Sequence, residues 1–338
     1  MLKLLYSIFG GGEHSGRYPE SLVDLAIDRA VEGTDPRVRA LPGYARKLRD
    51  PIVRAIDHIV DLVDSLHESL APVAVGAASF SADPRLSAIF ASTESMLDIL
   101  GRDQALRDFL DEGAGRGLRP VNALLLADPM ERNILGLDLV GDQVRRDVAQ
   151  VTVSFVAHRL LEPNDNNEEN RRLLKRRAFD FLLTLALERI TELKRERADL
   201  TRQRDLLRRK LENLERGGWS FKPAAPVHID LAKLTAELDD ITAQLDALGP
   251  EQSILEEHLA ILIEVMGNPG QQVWAEPLSL YLDAMNIQRA PDNAAARRID
   301  FMQLRSSRQQ RAVMLPLIID PTHLPARVDF VDAMGPYL

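Results

Sequence analysis

The chain has 338 residues, of which 45% are hydrophobic, 28% charged and 5% aromatic, and a formal net charge of −9. That length suffices for a substantial core and more than one substructure, while the negative balance excludes bulk attraction to nucleic acid or anionic lipid and leaves only local basic patches to act. There is no cysteine, which excludes disulfides, thiolate catalysis and Cys-ligated zinc or iron–sulfur centres, and fits a cytoplasmic location.

The opening run Met1–Phe9 carries a single lysine and is too short for a secretory signal. Its expected role is to pack on its own domain, with peripheral membrane contact through residues 1–9 as a lesser alternative. Nowhere do 18 apolar residues follow one another, so no transmembrane helix is expected. Gly11-Gly12-Glu13-His14-Ser15-Gly16-Arg17-Tyr18 has two glycines at the phosphate-loop spacing. Arg17 stands where lysine should reach the phosphates and Tyr18 where Ser or Thr should hold magnesium, so the stretch reads as a linker.

Residues 1–118 read as a helical N-terminal region. Tyr18-Pro19-Glu20-Ser21 leads into a helix bearing Leu22, Leu25, Ala26 and Val31, and Asp35-Pro36 reads as a second helix start. Asp50-Pro51 opens a clearer helix with Val53, Ile56, Ile59, Val60, Val63 and Leu66 on one face. After the neutral stretch Leu70 to Ala82 come three short helices, Asp83 to Phe90, Thr93 to Leu100 and Asp103 to Leu110.

From Val121 the period changes. Val121 to Leu126, Asn133 to Val140 and Val144 to Val156 read as strands joined by turns at Asp128-Pro129 and Gly141-Asp142, the third alternating as a half-buried strand does. Strand patterns return at Leu278 to Ile287, Ile299 to Leu304 and Arg311 to Ile319, the last two joined by a loop through Arg305-Ser306-Ser307-Arg308-Gln309. Residues 119–168 and 268–338 thus form one β-rich domain, and 169–267 are inserted within it.

The insertion carries the strongest pattern in the chain. Heptad steps from Phe179 to Leu214 meet apolar residues at nine of eleven positions, the exceptions being Arg197 and Arg204, and steps from Leu231 to Met266 do so at ten of eleven, the exception being Gln252. From Arg171 to Arg216 there are 15 Lys/Arg against 8 Asp/Glu, whereas Ile229 to Met266 holds one Lys against 9 Asp/Glu. A basic helix and an acidic one, each with a leucine seam, are expected to fold back on each other as an antiparallel coiled-coil hairpin. The leucines supply stability and the charges select the pairing. A turn centred near residue 222, within Gly217-Gly218-Trp219-Ser220-Phe221-Lys222-Pro223, would set Arg204 opposite Ile241 and Arg197 opposite Leu248 beside Gly249-Pro250. Both arginines then fix the register, Arg197 by reaching carbonyls freed at the break and Arg204 by reaching Asp239 or Asp240. Snorkelling out of the seam is the competing expectation.

The fold class is therefore α+β: a helical N-terminal region and a small antiparallel β-rich domain interrupted by a long antiparallel coiled-coil hairpin. That architecture is similar to the periplasmic adaptor proteins of efflux and secretion systems, a resemblance that implies an adaptor-like role, although those begin with a signal or anchor and lack a helical region in front.

No catalytic residue, metal ligand or cofactor is expected from motif. No two of the seven histidines stand at i, i+3 or i+4, and neither His-Glu-x-x-His, a calcium loop nor a Gly-x-Ser-x-Gly elbow occurs. Two clusters remain as candidate surfaces. Arg171, Arg172, Lys175, Arg176 and Arg177 put positive charge at a helix N-terminus, against the macrodipole; Glu162, Asp165, Glu168 and Glu169 are the nearest counterweight, with Asp165, Asn166 or Asn167 as cap. A protein partner or a phosphate group is the alternative. Trp219 and Phe221, with Lys222, form an aromatic tip that either packs back onto the arm's own last turn or serves as a contact for a protein partner or a second copy. The overall expectation is a non-enzymatic adaptor that docks a protein or a second copy of itself, with a nucleic-acid-associated protein and then an enzyme without a local motif as alternatives.

Overall fold

The computed structural model describes residues 18–112, 119–140, 143–215, 231–247 and 251–325. In chain order, α1 spans Glu20–Glu32, a 3-10 turn Pro36–Ala40, α2 Tyr44–Ser69, β1 Val73–Ala74, α3 Ala77–Ala82, α4 Pro84–Ile89, α5 Thr93–Arg102 and α6 Gln104–Asp111. The strands β2 (Val121–Val140) and β3 (Gln143–Asn164) follow, then α7 (Asn167–Glu215), α8 (Leu231–Ala247), α9 (Glu251–Gly267), β4 (Val273–Leu282), β5 (Arg297–Ser306) and β6 (Arg311–Ile319). Side-chain oxygens start many of these elements: Asp35, Asp83, Ser92 and Asp103 each accept a backbone N–H of the first turn, and the Asn166 carbonyl accepts from Glu168 N at 2.9 Å to open α7. The fold is α+β, with helices first and a six-stranded sheet.

The described residues divide into two compact units, one from the residues up to Ile56 with Phe179–Pro269, the other from Asp57–Ala178 with the residues from Gly270 onward. In the first, α1 buries Leu22, Val23, Ala26, Ile27, Ala30 and Val31 at helical spacing. The helix expected to open at Asp50-Pro51 begins earlier, at Tyr44, with Pro51 inside it. Proline there forfeits one backbone hydrogen bond, but Leu48, Ile52, Ala55 and Ile56 are at most 1% exposed, and their burial holds the turn in place. On α7, Phe179, Leu182, Leu183, Ala186 and Ile190 are buried. Beyond them only a narrow stripe is covered: Leu193, Arg197, Leu200, Arg204 and Leu207 are half-buried and Leu211 buried, while their neighbours other than Thr201 are exposed. The stripe recurs on α8 at Leu234, Leu238, Ile241 and Leu245, whereas α9 is covered more widely, at Leu255, Leu259, Leu262 and Met266 and also at Ile254, His258, Ile261, Ile263 and Val265.

In the second unit the sheet runs β3-β2-β6-β5-β4, antiparallel throughout except for β1, which pairs parallel to β6. Three strands expected before the arm prove to be two, because β2 continues through Asp128-Pro129 where a turn was expected. The reason is positional: β6 pairs with β2 only as far as Ala127, so at Pro129 the described ladder lies with β3 alone, and a residue without an N–H is tolerated where one edge is unpaired. β3 takes up extra residues at three bulges, marked by positive φ at Asp147, Ala157 and Glu162 and by register shifts opposite. On the partner strand the Gln150 amide lies over Gly136, where an added Cβ would stand 2.1 Å from Gln150 Oε1 and oblige that side chain to move.

Both faces of the central strands are buried. Ala123, Leu125 and Ala127 of β2 join a core with Val313, Leu315 and Leu317 of β6, Phe155 of β3 and Leu86, Met96, Leu100 and Leu106 of α4–α6. Leu124 and Leu126 face the other way, onto Val63, Leu66 and Leu70 of α2 and Leu174 of α7. Past β4 the chain returns to β3, where Val153 N donates to Asn286 O at 2.9 Å and Gln288 N to Val151 O at 2.8 Å. Among the described residues no helix is long and apolar enough to cross a membrane. Leu125→Ala, at a site 1% exposed, is expected to lower unfolding free energy by about 2–5 kcal/mol, read by urea denaturation, whereas Leu135→Ala, at a site 72% exposed, leaves it within about 0.5 kcal/mol.

Candidate functional site

The polar centre of the helical unit is a carboxylate. Asp35, its side chain 4% exposed, caps the 3-10 turn and gathers three cationic or ring donors. Its Oδ1 accepts from Arg37 N at 3.2 Å and Arg37 Nε at 3.1 Å. Its Oδ2 accepts from Arg37 Nη2 at 2.9 Å, from Lys194 Nζ of α7 at 3.0 Å and from His258 Nδ1 of α9 at 2.9 Å. The bonds from Arg37 hold this carboxyl well below the usual range against the opposing effect of burial, and Lys194 adds to them. Burial pushes the His258 imidazole down; its bond to Asp35 opposes this and the Lys194 charge assists.

His258 is therefore neutral at neutral pH, with its proton on Nδ1 facing the carboxylate, and its Nε2 has no hydrogen-bond partner among the described residues. An Asp–His pair of this kind orients a general base when the far nitrogen reaches a substrate. Here the ring is 0% exposed, so the pair acts as a clamp between the 3-10 turn and two helices. Further ties run through the same unit: Arg29 of α1 makes a two-pronged pair with Asp180 of α7 at 2.5 and 2.6 Å, and Arg189 of α7 meets Glu264 of α9 at 3.0 Å.

Beside the clamp lies a groove of about 590 Å³ along α7, lined also by Arg37, Ile254 and Glu257. Its length is set by two adjacent rows four residues apart, Leu193, Arg197, Thr201, Asp205 and Arg209 in one, Lys194, Ala198, Arg202 and Leu206 in the other. Leu206 is 60% exposed. Arg197 is thus placed in the groove wall. Arg204 donates to Asp205 at 2.8 Å, on its own helix and not towards Asp239 or Asp240.

The basic cluster at the start of α7 sits in the sheet unit among carboxylates. Asp64 of α2 accepts from Arg171 Nη2 at 2.8 Å and from Lys175 Nζ at 2.9 Å. Arg172 pairs with Glu169, and Arg177 Nε with Glu162 at 2.5 Å, while Arg176 is half-buried. Burial raises the Asp64 carboxyl, but the bonds from Lys175 and Arg171 outweigh it and leave the group lowered. Lys175 is 8% exposed, so its charge serves the fold. Trp274, at the return to the sheet, is half-buried, its Nε1 donating to Glu276 at 3.3 Å and its ring beneath the Arg305 guanidinium at 5.7 Å. Trp219, Phe221 and Lys222, with the phosphate-loop-like stretch Gly11–Arg17 and Gly249-Pro250, lie outside the described residues. Among those described, no three potential metal ligands come together.

Sequence reading reached Asp35 as a cap but not its partners, which stand 159 and 223 residues away.

Two outcomes follow from these geometries. Asp64→Ala, which strands the buried Lys175, is expected to destabilise by about 2–4 kcal/mol, more than the Lys175→Met change that removes the charge itself; paired urea curves decide this. Because the folded pKa of both His258 and Asp35 is depressed, the unfolded chain takes up protons first. Stability is full above about pH 6.5, begins to fall below it through His258, and falls further below about pH 4 through Asp35. His258→Gln, which retains a donor to Asp35, should lessen the decline in unfolding midpoint between pH 7 and pH 5, the remainder belonging to His67 and His158, which burial also lowers, while leaving the decline below pH 4.

No family model, curated protein or solved structure matches this chain.

Proposed function

We propose that this chain is a non-enzymatic interaction protein in which α7 and the α8–α9 pair form an antiparallel coiled-coil arm that docks a protein partner at its tip. The observation that carries this reading is the covered stripe: from Leu193 to Leu211 α7 keeps one heptad row out of water and leaves nearly everything else wet, and α8 repeats the pattern. A helix that buries so narrow a seam packs against a single neighbour, the usage of an arm and not of a globular core. With the turn centred near residue 222, Leu211 stands opposite Leu234, Leu207 opposite Leu238 and Leu200 opposite Leu245, and each of these is a covered position. The charges agree, +7 against −8.

Trp219 and Phe221, with Lys222, are the contact at the tip, because an aromatic pair beside two glycines and two prolines offers large apolar area at a chain reversal. The pairing of the basic cluster with Asp64, Glu162 and Glu169 favours this over nucleic-acid binding through the root, since cations already held by carboxylates gain less from phosphate.

The chain's lack of cysteine makes the arm directly testable. Leu207→Cys with Leu238→Cys should oxidise to an intramolecular disulfide that migrates as a monomer on a non-reducing gel; a disulfide-linked dimer would mean that arms exchange between copies, and no cross-link would remove the arm. Trp219→Ala with Phe221→Ala should abolish capture of the partner from native lysate while thermal unfolding stays unchanged, and normal capture by the folded double variant would end the tip assignment.

A further inference from the structure

From the ribbon that β2 and β3 form beyond the sheet we infer a second contact, independent of the arm. The β2 edge pairs antiparallel with the same edge of a second copy of the chain, and Leu135 faces Leu135 of that copy across the two-fold axis.

The sheet stops covering these strands early. β6 pairs with β2 no further than Ala127, and the outer side of β3 has its last contacts at Val151 and Thr152, with Gln288 and Ile287. The two strands nevertheless stay paired with each other as far as Val140 and Gln143. Among the described residues no further strand joins either outer edge of this stretch. A two-stranded ribbon on its own is marginal in water and is secured by additional strands.

The surface is apolar where that support is missing. Leu135 is 72% and Ile134 37% exposed, and Ala149, opposite Leu135 on β3, is exposed as well. The two edges are guarded differently. β3 is broken by the bulge at Asp147, where φ is positive, a device that turns an edge away from further pairing. β2 has no positive φ in the ribbon and, from Arg132 to Val140, neither proline nor lysine. Its edge is the one open to another strand.

Charge selects a second copy as that strand. Arg132 is exposed and donates only to the Met130 thioether, at 3.3 Å, so its charge meets no carboxylate among the described residues. Further along the same strand stands Asp138. With Leu135 set against itself in an antiparallel pair, Arg132 of each copy falls opposite Asp138 of the other. Moving the centre by one residue sets Arg132 against Gly136 or Val140 instead. Asp138 stands opposite Arg145 in the ribbon's own register, and a carboxylate has acceptor sites for a guanidinium on each side. At the centre, Ala149, Leu135 and their counterparts make one apolar row across four strands. Exposed ion pairs contribute little each, so the backbone ladder and the leucines hold the copies together and the charges fix the register.

Sedimentation equilibrium of the full chain between about 1 and 100 μM is expected to show monomer and dimer in exchange, as suits an interface at the small end of the range. Leu135→Lys should weaken the dimer at least about tenfold, since like charges then stand directly opposed. Arg132→Asp should weaken it, and Arg132→Asp with Asp138→Arg should restore it. The absence of cysteine gives the register a direct check. Leu135→Cys alone should oxidise to a disulfide-linked dimer, because directly opposed residues bring their Cα atoms to about 4.5–5.5 Å. Asn133→Cys should not, its counterpart lying about 13 Å away along the neighbouring strand. A chain that stays monomeric at about 100 μM, or equal cross-linking at the two positions, overturns the inference. So does a dimer that persists in Leu135→Lys and dissolves in Trp219→Ala with Phe221→Ala, which would assign self-association to the arm tip. The expected pattern is an intact dimer in the tip variant and intact partner capture in Leu135→Lys, so this inference and the arm reading fail separately.

Discussion

The helical unit depends on one buried carboxylate. Asp35 precedes a 3-10 turn of only five residues, too short to hold its shape by its own hydrogen bonds. The same side chain that caps this turn receives Lys194 and His258 from two other helices, so the turn, α7 and α9 are ordered together or not at all. A buried carboxylate carries a desolvation cost of several kcal/mol, which only good geometry and full hydrogen bonding repay. Here Oδ2 alone accepts three donors. Such a site contributes specificity before it contributes stability: an apolar substitute for all members can match its energy, but no partial one can. The neutrality of His258 belongs to the same logic, since a second charge sealed beside Lys194 would have no counter-ion of its own.

The sheet unit reaches order by a different route. Its central strands are covered on both sides, so Leu124, Leu125 and Leu126 all find apolar surroundings whatever direction they point. Register in such a strand is weakly specified by pattern alone, because a slip by one residue exposes nothing. The bulges supply what the pattern lacks. At Ala157 positive φ turns the chain so that the neighbouring His158 stacks on Phe90 with ring centroids 5.1 Å apart. At Glu162 the same device aims the carbonyl at Asn170 Nδ2, 2.6 Å away, and the carboxylate at Arg177. Non-glycine residues reach that conformation at a cost of about 1 kcal/mol or more, so these positions are held by the contacts they create.

Legibility in the sequence followed the length over which a pattern repeats. The heptad stripe spans many turns, and each turn votes for the same face, so the described seam positions of α7 and α8 are covered, whereas α9 also buries His258 and Val265 outside the stripe. The short helices α4, α5 and α6 were legible because Asp83, Ser92 and Asp103 announce them. Proline misled twice. Read locally, Pro51 and Pro129 both mark a break. In place, Pro51 lies among residues whose burial outweighs one lost hydrogen bond, and Pro129 lies past the last β6 pairing, where its missing N–H is tolerated. The clamp and the groove were invisible because their parts are separated by as many as 223 residues, and no local periodicity encodes which histidine will meet which aspartate.

Charge distribution joins these observations. The stretch from Arg171 to Arg216 carries +7 and that from Ile229 to Met266 −8, yet exposed ion pairs on helices contribute only about 0.3–0.5 kcal/mol each. Charges of that size can discriminate between partners but contribute little stability, which along α7 comes from the burial of Phe179, Leu182, Leu183, Ala186 and Ile190. Where α7 runs beside α9, Arg189 meets Glu264 at 3.0 Å with both side chains part-exposed, so this pair sets orientation more than it adds stability.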